Sequence, residues 1–262
     1  MTDSLLERAD LDGIATLTMN DPTRLNALSD AMIAALSQAF DDLAQDRTIR
    51  VVVLRGAGRC FCAGHDLKEM QAARQQPDAG ASAFKDLFDR CAAMMMKIPS
   101  LPQPVIAQVH GIATAAGCQL VASCDMAVAA EGTRFGVNGV NIGLFCSTPM
   151  VALTRKVPAA VAFEMLTTGA FIDAARAREV GLVNRVAPAD DLPQATEDLA
   201  KTLAAKLTAA VRVGKQAFYD QSGLPLADAY ALTGQTMVEN MLWRDTEEGI
   251  AAFLEKRAPD WA

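Results

Sequence analysis

The chain has 262 residues, 51% of them hydrophobic and 21% charged, with a formal net charge of -7. This length and composition are sufficient to bury the core of one large globular domain. The acidic balance offers no basic face of the kind that nucleic-acid binders carry, so no nucleic-acid partner is predicted.

Cysteine and histidine usage predicts neither a disulfide framework nor a metal centre. Cys60 and Cys62 are too close in sequence for an ordinary structural bridge, so reduced thiols are the simpler interpretation. Two histidines without a CxxC motif form no zinc-ligand pattern, and no metal is predicted. No apolar run reaches the ~20 residues of a membrane-spanning helix. Met1 to Asp12 is too polar for a signal peptide, which favours a cytoplasmic protein, or a mitochondrial matrix protein if a targeting segment was removed.

The first part of the chain alternates between strand and helix patterns. Ile14–Met19 is a predicted strand, and Ser29 is a predicted N-cap for a helix whose apolar residues recur with helical spacing. Val51–Leu54 is a continuous apolar run, typical of a buried strand. Further along, the sequence predicts a helix over Ala83–Lys97 and strands over Val105–Val109 and Cys124–Ala129. Such alternation indicates an α/β core.

From about residue 190 onward only helix patterns occur. Helices are predicted over Asp191–Leu207, Val211–Asp220, Pro225–Asn240 and Thr246–Lys256. We therefore divide the chain into a core, residues 1–190, and a C-terminal helical region, residues 191–262. The last two helices are strongly apolar, which indicates packing either against another subunit or back onto the core.

Two loops combine a preceding strand, a glycine turn and a helix start. In the first, Ala63-Gly64 permits a tight backbone path and Asp66 favours a helix start, which leaves the His65 N–H without an intrahelical partner. In the second, Gly111 supplies the turn and Thr114 is the predicted cap of a helix beginning Ala115-Ala116-Gly117, so the Ala116 N–H is free to donate. Two free N–H groups that converge on one oxygen can stabilise an enolate or a tetrahedral oxyanion.

In this order the two loops resemble those of the crotonase (enoyl-CoA hydratase/isomerase) superfamily, and the resemblance covers nearly the whole chain. Its segments include Arg24-Leu25-Asn26-Ala27-Leu28, Cys62 through Met70, Pro104-Val105-Ile106-Ala107, Gly111 through Leu120, Ser123-Cys124-Asp125, Phe135-Gly136, Gly143-Leu144, Thr168-Gly169 and Ala177 through Val183. Residues 115–125 and 139–149 match one branch of the superfamily more narrowly. The resemblance implies a crotonase-type α/β spiral of strand–strand–helix repeats, with a C-terminal helical trimerisation region.

The same resemblance implies an acyl-CoA thioester ligand, with CoA as part of the substrate and no permanently bound cofactor. The thioester carbonyl would accept hydrogen bonds from the backbone N–H groups of His65 and Ala116. The residues implied in CoA binding are Arg24, Ala63, His65, Asp66, Leu67, Lys68, Gly111 and Ala116, with Arg24 and Lys68 near the phosphates or adenine. Self-association is implied as a trimer or a dimer of trimers.

The sequence departs from the family pattern at the two catalytic acids. A hydratase of this family adds water with two glutamates, and their positions are occupied here by Gln119 and Gly139. A glutamine amide hydrogen-bonds but does not exchange a proton usefully near neutral pH, and glycine has no side chain. Weak or absent hydration is therefore expected, whereas reactions that need an enolate trap more than a base remain open.

Several polar groups near the predicted pocket have two interpretations each. The His65 imidazole is either catalytic or incidental to its backbone role, and the thiols of Cys118 and Cys146 are either nucleophiles or simply buried. Asn138 and Asn141 either orient water or a substrate carboxylate, or serve turns and packing. Three hypotheses follow: an acyl-CoA enzyme with altered chemistry, a non-catalytic acyl-CoA-binding or assembly protein, and a structural protein that binds no CoA.

Overall fold

Two β-sheets and a set of surrounding helices make up the chain in the computed structural model, which describes residues 4–261. The strands are β1 (Leu6–Leu11), β2 (Ile14–Met19), β3 (Val51–Gly56), β4 (Val105–Val109), β5 (Ile112–Thr114), β6 (Met126–Ala130), β7 (Arg134–Gly136), β8 (Ile172–Asp173) and β9 (Arg185–Ala187). The α-helices are α1 (Asp30–Gln45), α2 (Leu67–Ala73), α3 (Ala81–Ser100), α4 (Ala116–Ser123), α5 (Ser147–Lys156), α6 (Ala159–Thr168), α7 (Ala174–Glu179), α8 (Leu192–Ala204), α9 (Thr208–Gln221), α10 (Leu226–Met241) and α11 (Arg244–Glu255).

The sheet order shows a spiral of repeated units. The large sheet runs β1-β2-β3-β4-β6-β9 and is parallel beyond the β1–β2 hairpin, and the small sheet runs β5-β7-β8. The units β4–β5–α4 and β6–β7–α5 each place one strand in each sheet before a helix. Isolated parallel bridges, Leu28 to His65 and Cys62 to Ala113, extend the layer of the small sheet to earlier turns of the spiral. The predicted strand–strand–helix spiral is thus confirmed.

Local signals position the helices and strands of the core. The Ser29 side chain accepts a hydrogen bond from the Met32 N–H at 3.2 Å, which confirms the predicted cap of α1. The apolar face of α1 is buried in the main core. The predicted strand at Cys124–Ala129 begins too early, because the Cys124 N–H closes α4 by donating to Leu120 O and Val121 O. The strand itself begins at Met126.

Strand β1 lies in a polar and charged segment for which the sequence analysis predicts no strand. It pairs antiparallel with β2 through a two-residue turn at Asp12-Gly13, whose φ values are 50° and 76°. A turn with positive φ at both central residues favours Asp-Gly, so the dipeptide is a usable hairpin signal. Most β1 side chains are exposed, as expected of an edge strand.

The C-terminal helices differ in how they meet the core. Helix α8 covers the second face of the large sheet, where its residues Leu192, Leu199 and Ala200 pack with Val53 and Ile106. Beyond it, helices α9 to α11 and the turn between the last two expose many large apolar side chains: Phe218, Leu226, Tyr230, Met237, Leu242, Ile250, Phe253 and Leu254. No helix within residues 4–261 is long and apolar enough to cross a bilayer. The division at residue 190 stays a prediction.

A buried ion pair fastens α9 to the core. Lys215 Nζ donates to Asp125 Oδ2 at 2.7 Å and to two backbone carbonyls, and Tyr219 OH donates to Asp125 Oδ1 at 2.8 Å. The Val105 N–H also donates to Asp125 Oδ2, at 2.6 Å. Asp125 therefore anchors the start of β4.

We expect Lys215→Met to lower the free energy of unfolding by about 3–5 kcal/mol, because it removes the cation that pairs directly with the largely buried Asp125 carboxylate. Urea denaturation followed by circular dichroism measures the change. Lys85→Met is the matched control, since Lys85 pairs with Asp89 on the surface and its side chain is 77% exposed. Equal losses in the two variants would contradict the anchoring role.

Candidate active site

The first loop leaves the His65 N–H free. Gly64, at φ 90°, accepts a hydrogen bond from the Leu28 N–H at its carbonyl (2.7 Å). The Asp66 side chain caps α2 by accepting from the N–H groups of Lys68 and Glu69 at 2.8 and 3.4 Å. The His65 N–H, between these two tethers, has no hydrogen-bond acceptor among residues 4–261. Hydrogen bonds therefore fix the residues on both sides of His65, while the His65 N–H remains available to a ligand.

The second loop presents the Ala116 N–H by a different route from the predicted one. Thr114 does not cap α4: it lies in β5, and its hydroxyl donates to Asn138 Oδ1 at 2.5 Å. Ala115 occupies the cap position with φ 50° and ψ -118°, held by its N–H donating to Gly136 O at 2.9 Å. Such backbone strain costs about 1–3 kcal/mol and persists only where the surroundings enforce it. The Ala116 N–H follows directly and has no acceptor within the described part of the chain.

The two loops lie against each other. A Cβ placed on Gly64 would be 3.3 Å from the Ala116 nitrogen, so the residue preceding His65 touches the start of α4. A Cβ placed on Gly117 would be 2.3 Å from Cys62 O, which shows how closely α4 approaches the first loop. Glycine at both positions therefore permits the contact that brings the His65 and Ala116 amides to one cavity.

That cavity has a volume of about 360 Å³ and is mainly apolar. Its lining consists of Ala63, His65, Leu67, Met70, Phe88, Thr114, Ala115, Ala116, Asn138, Gly139, Asn141, Ile142, Leu144, Phe145, Cys146, Ser147, Thr148 and Pro149. No aspartate, glutamate, lysine or arginine belongs to this lining. The apolar wall from α2, α3 and the loop at 142–146 is not predicted from the sequence, although the apolar pair Leu144-Phe145, directly after a glycine, is a signal that could have indicated it.

The surroundings of the His65 imidazole favour its neutral form. Burial lowers its pKa, against the smaller raising effects of Leu28 O and of Asp30. Nδ1 lies 3.4 Å from Leu28 O, and the ring packs edge-on against Phe88 with centroids 5.7 Å apart. Nε2 is enclosed and has no partner within residues 4–261. The side chain therefore forms part of the wall, and the position contributes its amide.

Gln119 is buried in α4 and is not part of the cavity lining. The side chain is only 5% exposed, and its Oε1 is enclosed without a hydrogen-bond partner among the described residues. An unpaired buried amide oxygen is unfavourable by about 1–3 kcal/mol. The glutamine thus sits on the helix that presents Ala116, one turn beyond it, without reaching the acyl cavity.

Gly139 lines the cavity but has no room for a side chain. A Cβ there would lie 2.3 Å from Leu144 O and 2.9 Å from Cys146 Sγ. The Leu144 N–H donates back to Gly139 O at 3.0 Å, which holds this loop in place. The second acid is therefore missing for a steric reason as well as a chemical one, and a glutamate could enter only if the loop backbone moved.

Neither thiol near the cavity is an activated nucleophile. Burial raises the pKa of Cys146, and it raises the pKa of the fully enclosed Cys118 to about 12. A protonated thiol is a poor nucleophile. We expect Cys146→Ser to change turnover of a thioester by less than about threefold, measured at neutral pH. A hundredfold loss would show instead that the thiol takes part in the reaction.

The family resemblance also implies that Ala63, Leu67, Gly111, Arg24 and Lys68 contribute to CoA binding. Ala63 and Leu67 line the cavity, whereas Gly111 turns behind it, with φ 65° and Arg59 O 2.2 Å from a Cβ position. Arg24 pairs with Asp21 at 2.7 Å and lies 3.4 Å from Asp66 Oδ2. Lys68 is exposed at the start of α2, directly after Leu67. Their role in CoA binding stays a prediction.

Known proteins resemble this chain in sequence and in structure. The sequence profile of the enoyl-CoA hydratase/isomerase family matches residues 10–262. Human enoyl-CoA hydratase domain-containing protein 3, mitochondrial, is 44% identical over 252 residues, which cover 96% of this chain and 82% of the human protein. Its crystal structure superposes with a TM-score of 0.93 and 43% identity, covering 98% of this chain and 100% of that one.

A crystal structure of enoyl-CoA hydratase from Mycobacterium smegmatis is also similar, with a TM-score of 0.95 and 52% identity over 99% of both chains. Residues 115–125 and 139–149 predict one branch of the family, and the human relative belongs to that branch. This prediction of the branch is confirmed. The family match, the relatives and the shared fold agree. The chain belongs to the enoyl-CoA hydratase/isomerase family.

Proposed function

We propose that the chain is an acyl-CoA thioester enzyme that stabilises an enolate between the N–H groups of His65 and Ala116. The observation that carries the proposal is the pair of unbonded amides, from two different loops, beside one apolar cavity. Donors fixed in a water-poor site stabilise developing negative charge strongly, and each contributes about 10²–10³-fold to rate.

The same cavity argues against ordinary hydration. Adding water across a double bond needs positioned acid–base groups worth about 10²–10⁴-fold, and the lining has no carboxylate. Loss of carbon dioxide from a malonyl-type thioester breaks the bond between C2 and the carboxylate and leaves an enolate, which then takes a proton from water at C2. Such a reaction needs the enolate trap more than a protein base. CoA enters as part of the substrate, with no permanently bound cofactor.

A panel of enoyl-, malonyl- and methylmalonyl-CoA thioesters tests the proposal. We expect turnover of at least one malonyl-type thioester, with hydration of the enoyl thioester slower or undetectable. Absence of turnover across the panel, together with calorimetric binding of the same thioesters, would favour the second candidate, a non-catalytic acyl-CoA-binding or assembly protein. The absence of aspartate and glutamate from the cavity lining is the observation that supports this second candidate. Absence of binding as well would leave only a structural role.

Self-association as a trimer or a dimer of trimers belongs to the same proposal. The large apolar side chains on α11 and on the turn that precedes it support it, since Leu242, Phe253 and Leu254 are 80%, 82% and 74% exposed. Sedimentation at several protein concentrations distinguishes trimer, hexamer and monomer. For the compartment, a cytoplasmic location remains the expectation, with the mitochondrial matrix as the alternative suggested by the names of the relatives.

A further inference from the structure

A second cavity lies between α8 and the large sheet. Strands β2, β3 and β4 form one of its walls, α8 forms the other, and the β1–β2 turn lies at its edge. The cavity has a volume of about 220 Å³, below the range of about 300–1,000 Å³ that is typical of sites for drug-sized ligands. Among the described residues, none lines both this cavity and the one beside the His65 and Ala116 amides, so the two are separate.

The sheet directs three polar side chains into this second cavity. Val53 and Ile106 pack against α8. Side chains two residues apart on a strand point to the same face, so Arg55 and Gln108 also face α8. These two residues are register partners in neighbouring strands, which lie about 4.8 Å apart. Thr16 is the register partner of Val53, and all three polar residues line the cavity.

The Arg55 guanidinium is held at one nitrogen and unbonded at the other two. Its Nε donates to Thr18 Oγ1 at 2.9 Å, which fixes the direction of the group. Neither Nη atom has an acceptor within residues 4–261, and no carboxylate there forms an ion pair with Arg55. The side chain is half-buried, and a cation that has lost part of its hydration normally has a counterion beside it. The unpaired guanidinium therefore indicates a place for a bound anion.

Gln108 offers a second unused polar group beside it. The residue is only 9% exposed, and its side chain has no hydrogen-bond partner in the part of the chain that the structure describes. Its amide atoms are nevertheless not sealed off, because the cavity reaches them. A largely buried amide without a partner is unfavourable unless water or a ligand satisfies it. The Gln108 NH2 group is thus available to the same ligand that meets Arg55.

The shape and polarity of the lining favour a carboxylate with an apolar tail. A carboxylate is planar and accepts two parallel N–H bonds from an arginine, and a neighbouring amide can donate a third. Ile14, Val53 and Ala200 supply an apolar wall against which a short hydrocarbon chain can pack. The small volume excludes long chains.

The charges at the rim leave Arg55 as the main attraction for an anion. Lys201 and Glu197 belong to α8 and pair with each other at 2.5 Å, so their charges largely cancel. Asp12 also lines the rim, but it is exposed, and solvent and salt weaken its repulsion of an anion. An anion on the sheet side therefore gains the Arg55 countercharge without a comparable penalty.

We propose that the cavity between α8 and the large sheet is a second ligand site, which binds a small monocarboxylate with a short apolar chain through Arg55 and Gln108. The inference is independent of the proposed enolate site, since it uses different residues on another face of the fold.

Ligand-observed NMR titrations of the full chain with butanoate and butanamide test the inference. The two ligands have nearly the same size and shape, and only butanoate carries a charge. We expect the Kd for butanoate to be lower by about tenfold or more, because charge-assisted hydrogen bonds are roughly twice as strong as neutral ones.

Arg55→Met removes the guanidinium while keeping an unbranched side chain, and it should weaken butanoate binding by about tenfold or more. Arg185→Met is the matched control. Arg185 lies on the edge strand β9 of the same sheet, is exposed and does not line the cavity, so its loss should leave the Kd unchanged.

Two substitutions at Gln108 provide a second route to the answer. Gln108→Glu places a carboxylate beside Arg55 from within the protein, so it should occupy the guanidinium and abolish butanoate binding. Gln108→Leu removes one neutral donor, and it should weaken binding about 3–10-fold. Far-ultraviolet circular dichroism verifies that each variant is folded.

Equal Kd values for butanoate and butanamide would overturn the inference. Butanoate affinity that is unchanged in both Arg55→Met and Gln108→Glu would also overturn it, because the carboxylate would then bind elsewhere. The same holds if the unmodified protein shows no butanoate binding. None of these outcomes bears on turnover of acyl-CoA thioesters, which the thioester panel tests separately.

Discussion

Ala116→Pro should lower turnover of the best acyl-CoA substrate by about 10²–10³-fold, the contribution of one oxyanion-hole donor. Proline has no N–H, so the substitution removes one of the two amides that would hold the thioester oxygen. Ala116 is the first residue of α4, and the first helical position tolerates proline because its N–H has no intrahelical partner. Steady-state kinetics on the substrate identified in the panel measure the effect.

The control for Ala116→Pro is a variant that keeps the backbone N–H of residue 116. Ala116→Gly removes the methyl group of residue 116 but retains the N–H, and its turnover should stay within about tenfold of the unmodified enzyme. Both variants should still bind CoA itself, because the proposal assigns the Ala116 amide to the thioester carbonyl, which free CoA lacks. Turnover that is unchanged in Ala116→Pro, with the far-ultraviolet circular dichroism preserved, would refute the role of this donor.

Gly117→Ala should impair the site by separating the two loops. The added Cβ would lie 2.3 Å from Cys62 O, so α4 or the first loop at Cys62 has to shift by several tenths of an ångström or more. Overpacking of this kind costs about 1–3 kcal/mol of stability. Because the shift moves the Ala116 amide away from His65, we expect turnover to fall about 10²-fold or more.

A second helix glycine provides the matched control. Gly214 lies in α9, and no atom lies within 4 Å of the position that a Cβ would take there. Gly214→Ala should therefore leave turnover unchanged and raise stability by as much as about 1 kcal/mol. Thermal melts and kinetics of the two variants are compared directly. If Gly117→Ala behaved like Gly214→Ala, the close approach of α4 to the first loop would not matter for the reaction.

Features set by short-range physics could be predicted from the sequence. The Ser29 cap, the Asp66 cap and the bounds of β2 and β4 follow from side chains within a few residues. The free amides of His65 and Ala116 could also be predicted, because a helix start leaves its first N–H groups without partners. The spiral topology came from the family resemblance, since no local signal dictates the order of strands in a sheet.

Features set by long-range contacts could not be predicted from the sequence. Threonine is a common N-cap residue. In the structure, however, Thr114 lies in β5, which pairs with β7, and its hydroxyl donates to Asn138 instead. The positive φ of Ala115 depends on Gly136 O, which is distant in sequence. At Gly139 the sequence shows a missing acid, whereas only the structure shows that Leu144 O takes up the space of a side chain.

The most direct test of the proposed enolate site is a crystal structure of the protein with a bound, non-reactive acyl-CoA thioester analogue. We predict that the carbonyl oxygen lies about 2.7–3.1 Å from both the His65 and the Ala116 backbone nitrogens, with the acyl chain in the cavity. A carbonyl oxygen that contacts neither nitrogen, or contacts only one while the other bonds within the protein, would contradict that site.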